Sequence, residues 1–317
     1  MKAVIITKPG NPDVLQISDV DTPTPGADQV LVRVHATAVN RADLMQRRGN
    51  YPPPPGYRAD IPGLEYAGVI EANGDRVMGI IGGASYAEYV VVHEGEAMPV
   101  PSNLSLEEAA AIPEAFLTAY DALHARLHLQ RGETVLIHAV ASGVGTAALQ
   151  LAKQLGCFVI GTARSDEKLE RAIELGLDVA VNAARESFVD VVRSHTDGRG
   201  VDAVVDLVGG DYLTGNVQAL ALRGRIVVVG LVAGASAPLD MRLLLNKRAT
   251  IVGTVMRARS LEEKIQVAQD VTRDVIPLFE SGAVVPVVDA VFPMSEVVRA
   301  HEIVEGNRNF GKIVLKW

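Results

Sequence analysis

The sequence predicts an α/β protein with two domains, one mostly β and one built on a doubly wound parallel sheet. Up to about Glu114, short alternating strands are broken by Gly and Pro, as in residues 29–34 and 86–92. From about Thr118, apolar strands alternate with amphipathic helices. The chain has 317 residues, 48% of them hydrophobic, and is long enough to bury a core in each domain.

Composition excludes several classes of partner. A net charge of −8 without any basic block gives no electrostatic footprint for nucleic acid or an anionic membrane surface. The longest apolar stretches, such as residues 225–234, are too short to span a bilayer, and residues 2–7 resemble a strand instead of a signal peptide. We therefore expect a cytoplasmic protein. Its single cysteine, Cys157, can form neither an internal disulfide nor a CxxC pair, so any redox chemistry needs a bound cofactor.

Six strands with intervening helices are predicted in the second domain, as in a doubly wound parallel sheet. They are predicted at residues 134–138, 158–162, 179–181, 201–207, 225–229 and 250–255, with the first helix at 144–155. The tail is predicted to form a helix over 260–279, a strand over 284–288, a helix over 295–305 and a strand over 312–316. Since that sheet is complete without the tail, we expect the tail to return to the first domain. The predicted segments are 1–117, 118–257 and 258–317.

A dinucleotide-binding turn is predicted where the first of these strands meets its helix. Such a turn needs a tight bend, a close backbone approach to the pyrophosphate and a small residue where helix and strand pack. Gly143 and Gly145 meet the last two needs, while Val140 and Ser142 stand where a G-x-G-x-x-G motif has its first two glycines. Alone, the turn also fits a structural role, and the βαβ context favours a cofactor. The candidate residues are Ser142, Gly143, Val144 and Gly145.

The end of the second strand favours NADP over NAD. About 18 residues beyond the last glycine, an NAD site would place Asp or Glu on the ribose hydroxyls. Ala163 stands there, followed by Arg164, Ser165 and Lys168, which could bind a 2′-phosphate. The alternative is that Arg164 and Lys168 are solvated surface charges.

Four separated segments resemble the quinone oxidoreductase branch of the medium-chain dehydrogenase/reductase superfamily. They are NRADLMQR at residues 40–47, GLEYAGV at 63–69, AIPEAFLTAY at 111–120 and GKIVL at 311–315. The resemblance covers nearly the whole chain and is greatest to the stress-induced NADPH quinone oxidoreductases. It implies a GroES-like β-rich catalytic domain with an inserted Rossmann domain, NADPH as cofactor, and a quinone or related electrophilic carbonyl compound as substrate.

Comparison with the zinc alcohol dehydrogenases of that superfamily implies that no metal is bound. Their three zinc-ligand places hold Asn40, Leu64 and Glu114 here. Leucine cannot ligate, and an amide with one or two carboxylates is not the nitrogen- and sulfur-rich set that zinc prefers. Ala42 also replaces the hydroxyl that relays the alcohol proton, so alcohol oxidation is not expected. His124 and His128 could share a helix face, but two solvated side chains are the favoured interpretation.

The resemblance also implies where the nicotinamide and substrate lie, in a cleft between the domains. Asn40 would orient the ribose or the substrate. Tyr51 would line the substrate pocket and donate a proton, or else pack as a loop aromatic on the proline run at residues 52–55. Asp43 and Glu65 would hold loops. The other residues implied at the cofactor are Thr118, Gly230, Leu231, Thr254, Val255, Met256 and Arg308.

Three functions stay open from sequence. The first is NADPH-dependent quinone reduction. The second is reduction of an enone or 2-enoyl thioester, which needs a proton donor for the α-carbon. The third is a non-catalytic NADPH-binding protein of the crystallin type.

A homodimer is expected from the apolar strand at residues 250–255, the last of the sheet. Its outer edge would leave amides and carbonyls unpaired, and relatives pair this edge with a second copy. The alternative is that the helix beginning at Ser260 covers the edge within one chain.

Overall fold

The computed structural model of the chain describes all residues from Met1 to Trp317. They form two compact units, which we call the β-rich unit (Met1–Leu117 and Met256–Trp317) and the parallel-sheet unit (Thr118–Val255). None of the helices combines the length and the apolar character needed to cross a membrane.

The N-terminal part of the chain contributes seven strands and three helices. The strands are β1 (Lys2–Ile6), β2 (Leu15–Asp19), β3 (Gln29–Ala38), β4 (Glu65–Ile70), β5 (Arg76–Ile80), β6 (Tyr89–His93) and β7 (Met98–Pro99). The helices are α1 (Arg41–Arg47), α2 (Leu106–Ala109) and α3 (Pro113–Tyr120). Val32, Val34 and Ala36 of β3 are buried while Arg33 is exposed, the alternation expected of a strand with one face on a core.

The parallel-sheet unit alternates strands and helices. The strands are β8 (Thr134–Ile137), β9 (Phe158–Ala163), β10 (Val179–Asn182), β11 (Val201–Asp206), β12 (Leu220–Val228) and β13 (Thr250–Gly253). The helices are α4 (Gly143–Gln154), α5 (Asp166–Glu174), α6 (Phe188–His195), α7 (Tyr212–Ala219) and α8 (Met241–Lys247), with a π-helix at Asp121–Arg126.

These strands form one parallel sheet in the order β10-β9-β8-β11-β12-β13. The predicted fold class and the six-stranded sheet are thereby confirmed. The order reverses between β8 and β11, and doubly wound folds bind ligands beyond the carboxyl ends of the strands at such a reversal. Leu136, Ile160, Val204 and Ile226 are fully buried and hold the helices to the sheet.

The C-terminal tail belongs to the β-rich unit. It contains α9 (Leu261–Asp274), α10 (Ile276–Glu280), β14 (Val288–Pro293), α11 (Val297–Glu305) and β15 (Lys312–Lys316). Strand β15 pairs antiparallel with β3 and parallel with β14, within a sheet of order β14-β15-β3-β4-β5-β7. Strand β6 pairs with β3 beside this path.

Two predictions for the tail are wrong in detail. The helix predicted over 260–279 breaks at Val275, because Pro277 lacks an amide donor and its ring is incompatible with a continuing helix. The strand predicted over 284–288 is instead Val288–Pro293. The Val284 amide donates to the Leu278 carbonyl at 3.2 Å and so closes α10, and Pro286 has no N–H to give a ladder.

Two predictions in the rest of the chain also need correction. The strand predicted over 86–92 begins at Tyr89, because residues 86–88 hydrogen-bond to β1. His128 cannot share a helix face with His124, since the π-helix ends at Arg126 and His128 has a φ of 46°. The His124 ring stacks on Tyr120, with ring centroids 4.5 Å apart.

Candidate active site

A polar cluster in the β-rich unit is centred on Asn40, which lies between the end of β3 and the start of α1. Glu65 opens β4 and Lys312 opens β15, so the sheet brings their side chains to Asn40. The Lys312 ammonium lies 2.7 Å from Glu65 Oε1 and donates to Asn40 Oδ1 at 2.5 Å. The Glu65 and Lys312 side chains are 0% and 6% exposed, so the ion pair is buried.

These contacts fix which way the Asn40 amide points. Lys312 can only donate and Glu65, when ionised, can only accept, so Oδ1 must face Lys312 and Nδ2 must face Glu65. Asn40 Nδ2 donates to Glu65 Oε1 at 2.7 Å and to the Ala38 carbonyl at 3.2 Å, which uses both of its hydrogens. The Asn40 amide therefore has no hydrogen left for a ligand, and its side chain can face one only as an acceptor, through Oδ1.

Two further carboxyl groups surround this pair. Asp43 is fully buried and accepts from the amides of Asn40 and Gly63 at 2.8 and 3.1 Å. Burial raises the pKa of Asp43 to about 6. Glu114, near the start of α3, is half-buried and donates its backbone N–H to Glu65 Oε2 at 2.8 Å. Burial, together with the nearby Glu65 carboxylate, raises the pKa of Glu114 to about 8. At neutral pH, Glu114 is thus mostly an uncharged carboxylic acid.

A buried chain of hydrogen bonds continues from Asp43 away from Asn40. Tyr86 Oη donates to Asp43 Oδ2 at 3.2 Å and lies 3.2 Å from His301 Nε2. His301 Nδ1 lies 3.2 Å from an Arg47 guanidinium nitrogen, and Arg47 binds both carboxylate oxygens of Glu305. Burial lowers the pKa of His301 to about 3, so this histidine is neutral and stabilises the loops without charge.

Tyr51 is held by Arg257, which sequence reasoning did not single out. The Arg257 guanidinium lies over the Tyr51 ring, 4.7 Å from its centroid, and donates to the Tyr51 carbonyl at 3.1 Å. Arg257 also donates to Gln46 Oε1 at 2.6 Å and to the Gly82 carbonyl at 2.8 Å. Burial raises the pKa of Tyr51, so its hydroxyl stays protonated at neutral pH.

The residues at the zinc-ligand places do not fit a metal ion. Leu64 is buried and apolar, and the Asn40 amide is engaged by an ammonium group that would repel a cation. No three His, Cys, Asp or Glu side chains of the chain are grouped so that they could hold a metal. Of the residues at the three places, only Glu114 has a side chain that is a usual metal ligand, and one carboxyl group does not make a site.

In the parallel-sheet unit, the predicted cofactor residues follow the carboxyl ends of neighbouring strands. The turn after β8 leads into α4, where Ser142 caps the helix by accepting from the Gly145 amide at 3.1 Å. A Cβ on Gly145 would lie 2.3 Å from the Ala139 carbonyl oxygen, so only glycine fits. The first turn of such a helix has amides without intrahelical partners, which suits a phosphate.

Ala163 ends β9, and the exposed Arg164 follows it directly. Ser165 precedes α5, and Lys168 is half-buried in the first turn of α5. The nearby acidic residue Asp166 is neutralised, because Asn182 Nδ2 and both terminal guanidinium nitrogens of Arg185 donate to it at 2.8 Å. These bonds lower the pKa of Asp166.

The remaining residues implied at the cofactor divide between the two units. In the parallel-sheet unit, the buried Thr118 hydroxyl has no hydrogen-bond partner, and Thr254 Oγ1 donates to Asp121 Oδ2 at 2.6 Å. Gly230 and the exposed Leu231 and Val255 lie beyond β12 and β13. In the β-rich unit, Met256 is buried and Arg308 is exposed.

Known protein families match segments of both units. Residues 26–102 match the family described as alcohol dehydrogenase GroES-like domain, and residues 143–272 match the family described as zinc-binding dehydrogenase. The quinone oxidoreductase of Rattus norvegicus is 30% identical, over 99% of this chain and 97% of that protein. Quinone oxidoreductase-like protein 2 of Rattus norvegicus is 33% identical, over 99% of this chain and 91% of that protein.

Solved structures are similar over the whole chain. An NAD-dependent alcohol dehydrogenase is 34% identical with a TM-score of 0.89, and 100% of both chains is covered. A mycobacterial protein solved with NADPH is 28% identical with a TM-score of 0.88, again over 100% of both chains. JamJ enoyl reductase is 26% identical with a TM-score of 0.87, over 99% of this chain and 98% of that one.

The fold and the strand-end site define an oxidoreductase of the medium-chain dehydrogenase/reductase superfamily, whose members bind a dinucleotide. Within that superfamily, the chain belongs to the quinone oxidoreductase branch.

We expect replacement of Glu114 by Gln to change how stability depends on pH. A carboxyl group whose pKa is raised by folding binds its proton more tightly in the folded state, so its contribution to stability is lost as pH rises. For Glu114 this loss spans the interval from its ordinary value of 4.5 to about 8. As pH rises through that interval, thermal unfolding should show the wild type losing stability relative to E114Q.

Glu280→Gln serves as the control. Hydrogen bonds from Ser102 lower the pKa of Glu280, so its titration lies below the interval and E280Q should remain parallel to the wild type. Parallel curves for the wild type and E114Q would show that Glu114 is ionised in the folded protein.

Proposed function

We propose that the chain transfers hydride from NADPH to a quinone without a metal ion. The observation that carries this proposal is the buried Lys312–Glu65–Asn40 cluster. It places an ammonium at the amide that occupies a zinc-ligand position in related dehydrogenases. In the related zinc dehydrogenases a Lewis acid stabilises the alkoxide during alcohol oxidation, whereas a quinone is a strong electrophile whose reduced form is a stabilised anion. Quinone reduction is thus the hydride transfer that this residue set suits best.

The chain's residues suit NADPH, which supplies the hydride when bound. The α4 N-terminus and the Ser142–Gly145 turn would hold the pyrophosphate, and Arg164 with Ser165 would hold the 2′-phosphate. The unpartnered hydroxyl of Thr118 is open for a further hydrogen bond. Asn40, which offers an acceptor, would receive a ribose hydroxyl, because a quinone carbonyl has no hydrogen to donate.

The remaining work of the residues is positioning and exclusion of water. Tyr51 would face the quinone with its ring held by Arg257, and its protonated hydroxyl could donate a hydrogen bond to a substrate carbonyl. The reduction takes up one hydride and one proton, and a hydroquinone anion can take that proton from water.

Reduction of an enone or 2-enoyl thioester is the second candidate. The full-length likeness to JamJ enoyl reductase and the protonated Tyr51 hydroxyl favour it. That reaction requires a proton on carbon, so it should depend on Tyr51 more strongly than quinone reduction does.

A screen of NADPH oxidation against quinones, enones and enoyl thioesters tests the proposal. We expect the highest kcat/KM with quinones, no loss of activity with a metal chelator, and a modest effect of Tyr51→Phe. Activity confined to enoyl thioesters and lost in Y51F would establish the second candidate. Turnover that a chelator abolishes and zinc restores would contradict the proposal, and tight NADPH binding without turnover of any acceptor would indicate a crystallin-type role.

NADPH preference is predicted to depend on Arg164. A charge-assisted hydrogen bond contributes about 1.5–3 kcal/mol. Arg164→Ala should therefore weaken NADPH binding by roughly ten-fold or more and leave the affinity for NADH nearly unchanged. Fluorescence titration measures both affinities. Arg193→Ala, which removes an exposed arginine from α6, should change neither. Equal affinity of the wild type for NADPH and NADH would contradict the preference.

We also propose a homodimer formed through β13. This strand lies at the edge of the parallel sheet, and its Ile251 and Val252 are only half-buried. The Thr254 amide donates inward to Val228, so alternation along the strand turns the Gly253 amide to the open edge. The alternative was that α9 covers this edge of β13 within one chain. Helix α9 packs on α10, β7 and residues 94–96 of the β-rich unit.

Light scattering should give a mass near twice the 33.7 kDa of one chain. Gly253→Pro removes the outward amide and should give monomers, whereas Gly253→Ala keeps that amide and should remain dimeric. The alanine side chain has room, because nothing lies within 4 Å of a Cβ at this position. A wild-type mass of one chain, with or without NADPH, would refute the dimer. An unchanged mass for G253P would exclude this edge.

A further inference from the structure

Four polar side chains form a hydrogen-bonded chain inside the parallel-sheet unit, beneath its strand ends. Thr162, His138, Asn216 and Asp206 are each at most 1% exposed. Thr162 Oγ1 lies 3.0 Å from His138 Nδ1, and His138 Nε2 lies 2.6 Å from Asn216 Oδ1. Asn216 Nδ2 then donates to Asp206 Oδ2 at 2.9 Å. Buried polar groups in an otherwise apolar core are costly unless fully bonded, and this chain is bonded from end to end.

The direction of every hydrogen bond in the chain follows from its last member. Asp206 only accepts, so Asn216 must present its amide nitrogen to Asp206 and its oxygen to His138. His138 therefore carries its proton on Nε2, and Nδ1 accepts from the Thr162 hydroxyl. Burial lowers the pKa of His138, which keeps the imidazole neutral as this arrangement requires.

Asp206 in turn hydrogen-bonds to the backbone of two loops, which follow β11 and β12. They lie at the point where the strand order of the sheet reverses. Its Oδ1 accepts from the amides of Val208 and Gly209 at 2.9 and 2.8 Å. Its backbone carbonyl accepts from the amides of Val229 and Gly230 at 2.8 and 3.2 Å. A Cβ on Gly209 would lie 2.9 Å from the Gly230 carbonyl oxygen, so the two loops pack backbone to backbone.

We infer that His138 is a positioning residue for cofactor binding. Through Asn216 and Asp206, it holds the Val208–Gly209 backbone, and with it Gly230, in the conformation that receives a dinucleotide beside the glycine turn. This inference rests on the proposed dinucleotide site, and it does not depend on which substrate is reduced. His138 directly follows β8, the strand from which the turn departs, so one side chain connects the turn to the loops after β11 and β12.

Cofactor affinity tests the inference without turnover. His138→Leu and Asn216→Leu each interrupt the hydrogen-bonded chain, so each should weaken NADPH binding about ten-fold. The double variant should bind NADPH no more weakly than either single variant, because both changes act through the same loop. Phe188→Leu is the control. Its ring packs edge-on to His138 at 4.8 Å outside the chain, and its loss should change affinity less than about two-fold. Unchanged affinity in H138L, or effects that multiply in the double variant, would overturn the inference.

Two readouts on the free protein separate failure of this inference from failure of the proposed function. Amide hydrogen exchange at Val208 and Gly209 should be slow in the wild type and about ten-fold faster in H138L, with β9 amides unchanged. Nitrogen-15 NMR should show the Nε2–H tautomer of His138. An Nδ1–H tautomer would contradict the hydrogen-bond directions assigned to the chain from Thr162 to Asp206. If H138L does not fold, Thr162→Val, which removes only the first donor, should still accelerate exchange at Gly209. Titrations are repeated with NADH, so that a wrong cofactor assignment is recognised as such.

Discussion

The buried ammonium of Lys312 is the charge on which the polar cluster of the β-rich unit depends. It is the counter-ion of Glu65, which is completely buried and would otherwise be an uncompensated charge. It also fixes the Asn40 amide as an acceptor, and its field lowers the pKa of both Asp43 and Glu114 against the stronger effect of burial. Without this ammonium, three carboxyl groups and an amide would have to rearrange. Its place beside Asn40 also supports the proposal of hydride transfer without a metal ion.

Each unit holds its candidate binding groups in place with buried polar contacts, and the two units use different kinds of contact. In the β-rich unit an ion pair fixes the Asn40 amide, whereas in the parallel-sheet unit a hydrogen-bonded chain from Thr162 to Asp206, with a neutral His138, fixes loop backbones. A neutral imidazole suits a parallel sheet that is covered on both faces, because Asp206 is then the only charged member of this hydrogen-bonded chain. Asp206 itself accepts from two backbone amides in addition to Asn216, which satisfies it where no cation is available.

Local sequence patterns predicted most strands and helices of the fold. The candidate site was predicted less completely, because its contacts join residues that are far apart in the sequence. Strands such as β8 and β11 were predicted because they are short, mostly apolar runs, and the glycine turn because its bend has local requirements. The strand at Val288–Pro293 was misplaced because a hydrogen bond from Val284 to α10 competes with strand pairing. Asn40 was identified by resemblance, but its partner Lys312 is 272 residues away and carries no spacing signal. For the same reason no spacing signal in the sequence marks His138, whose partners are 24 and 78 residues away.

The role of the Lys312–Glu65 ion pair is tested most directly by the free energies of unfolding of the variants K312M, E65Q and K312M/E65Q, measured with a chemical denaturant. Removal of Lys312 alone leaves Glu65 charged and buried, so K312M should be destabilised by about 3–5 kcal/mol. In the double variant the Asn40 amide can turn over and accept from Gln at position 65, so most of that loss should be recovered. A K312M variant as stable as the wild type, or a double variant as unstable as the sum of the two single changes, would contradict the central place given to this ion pair.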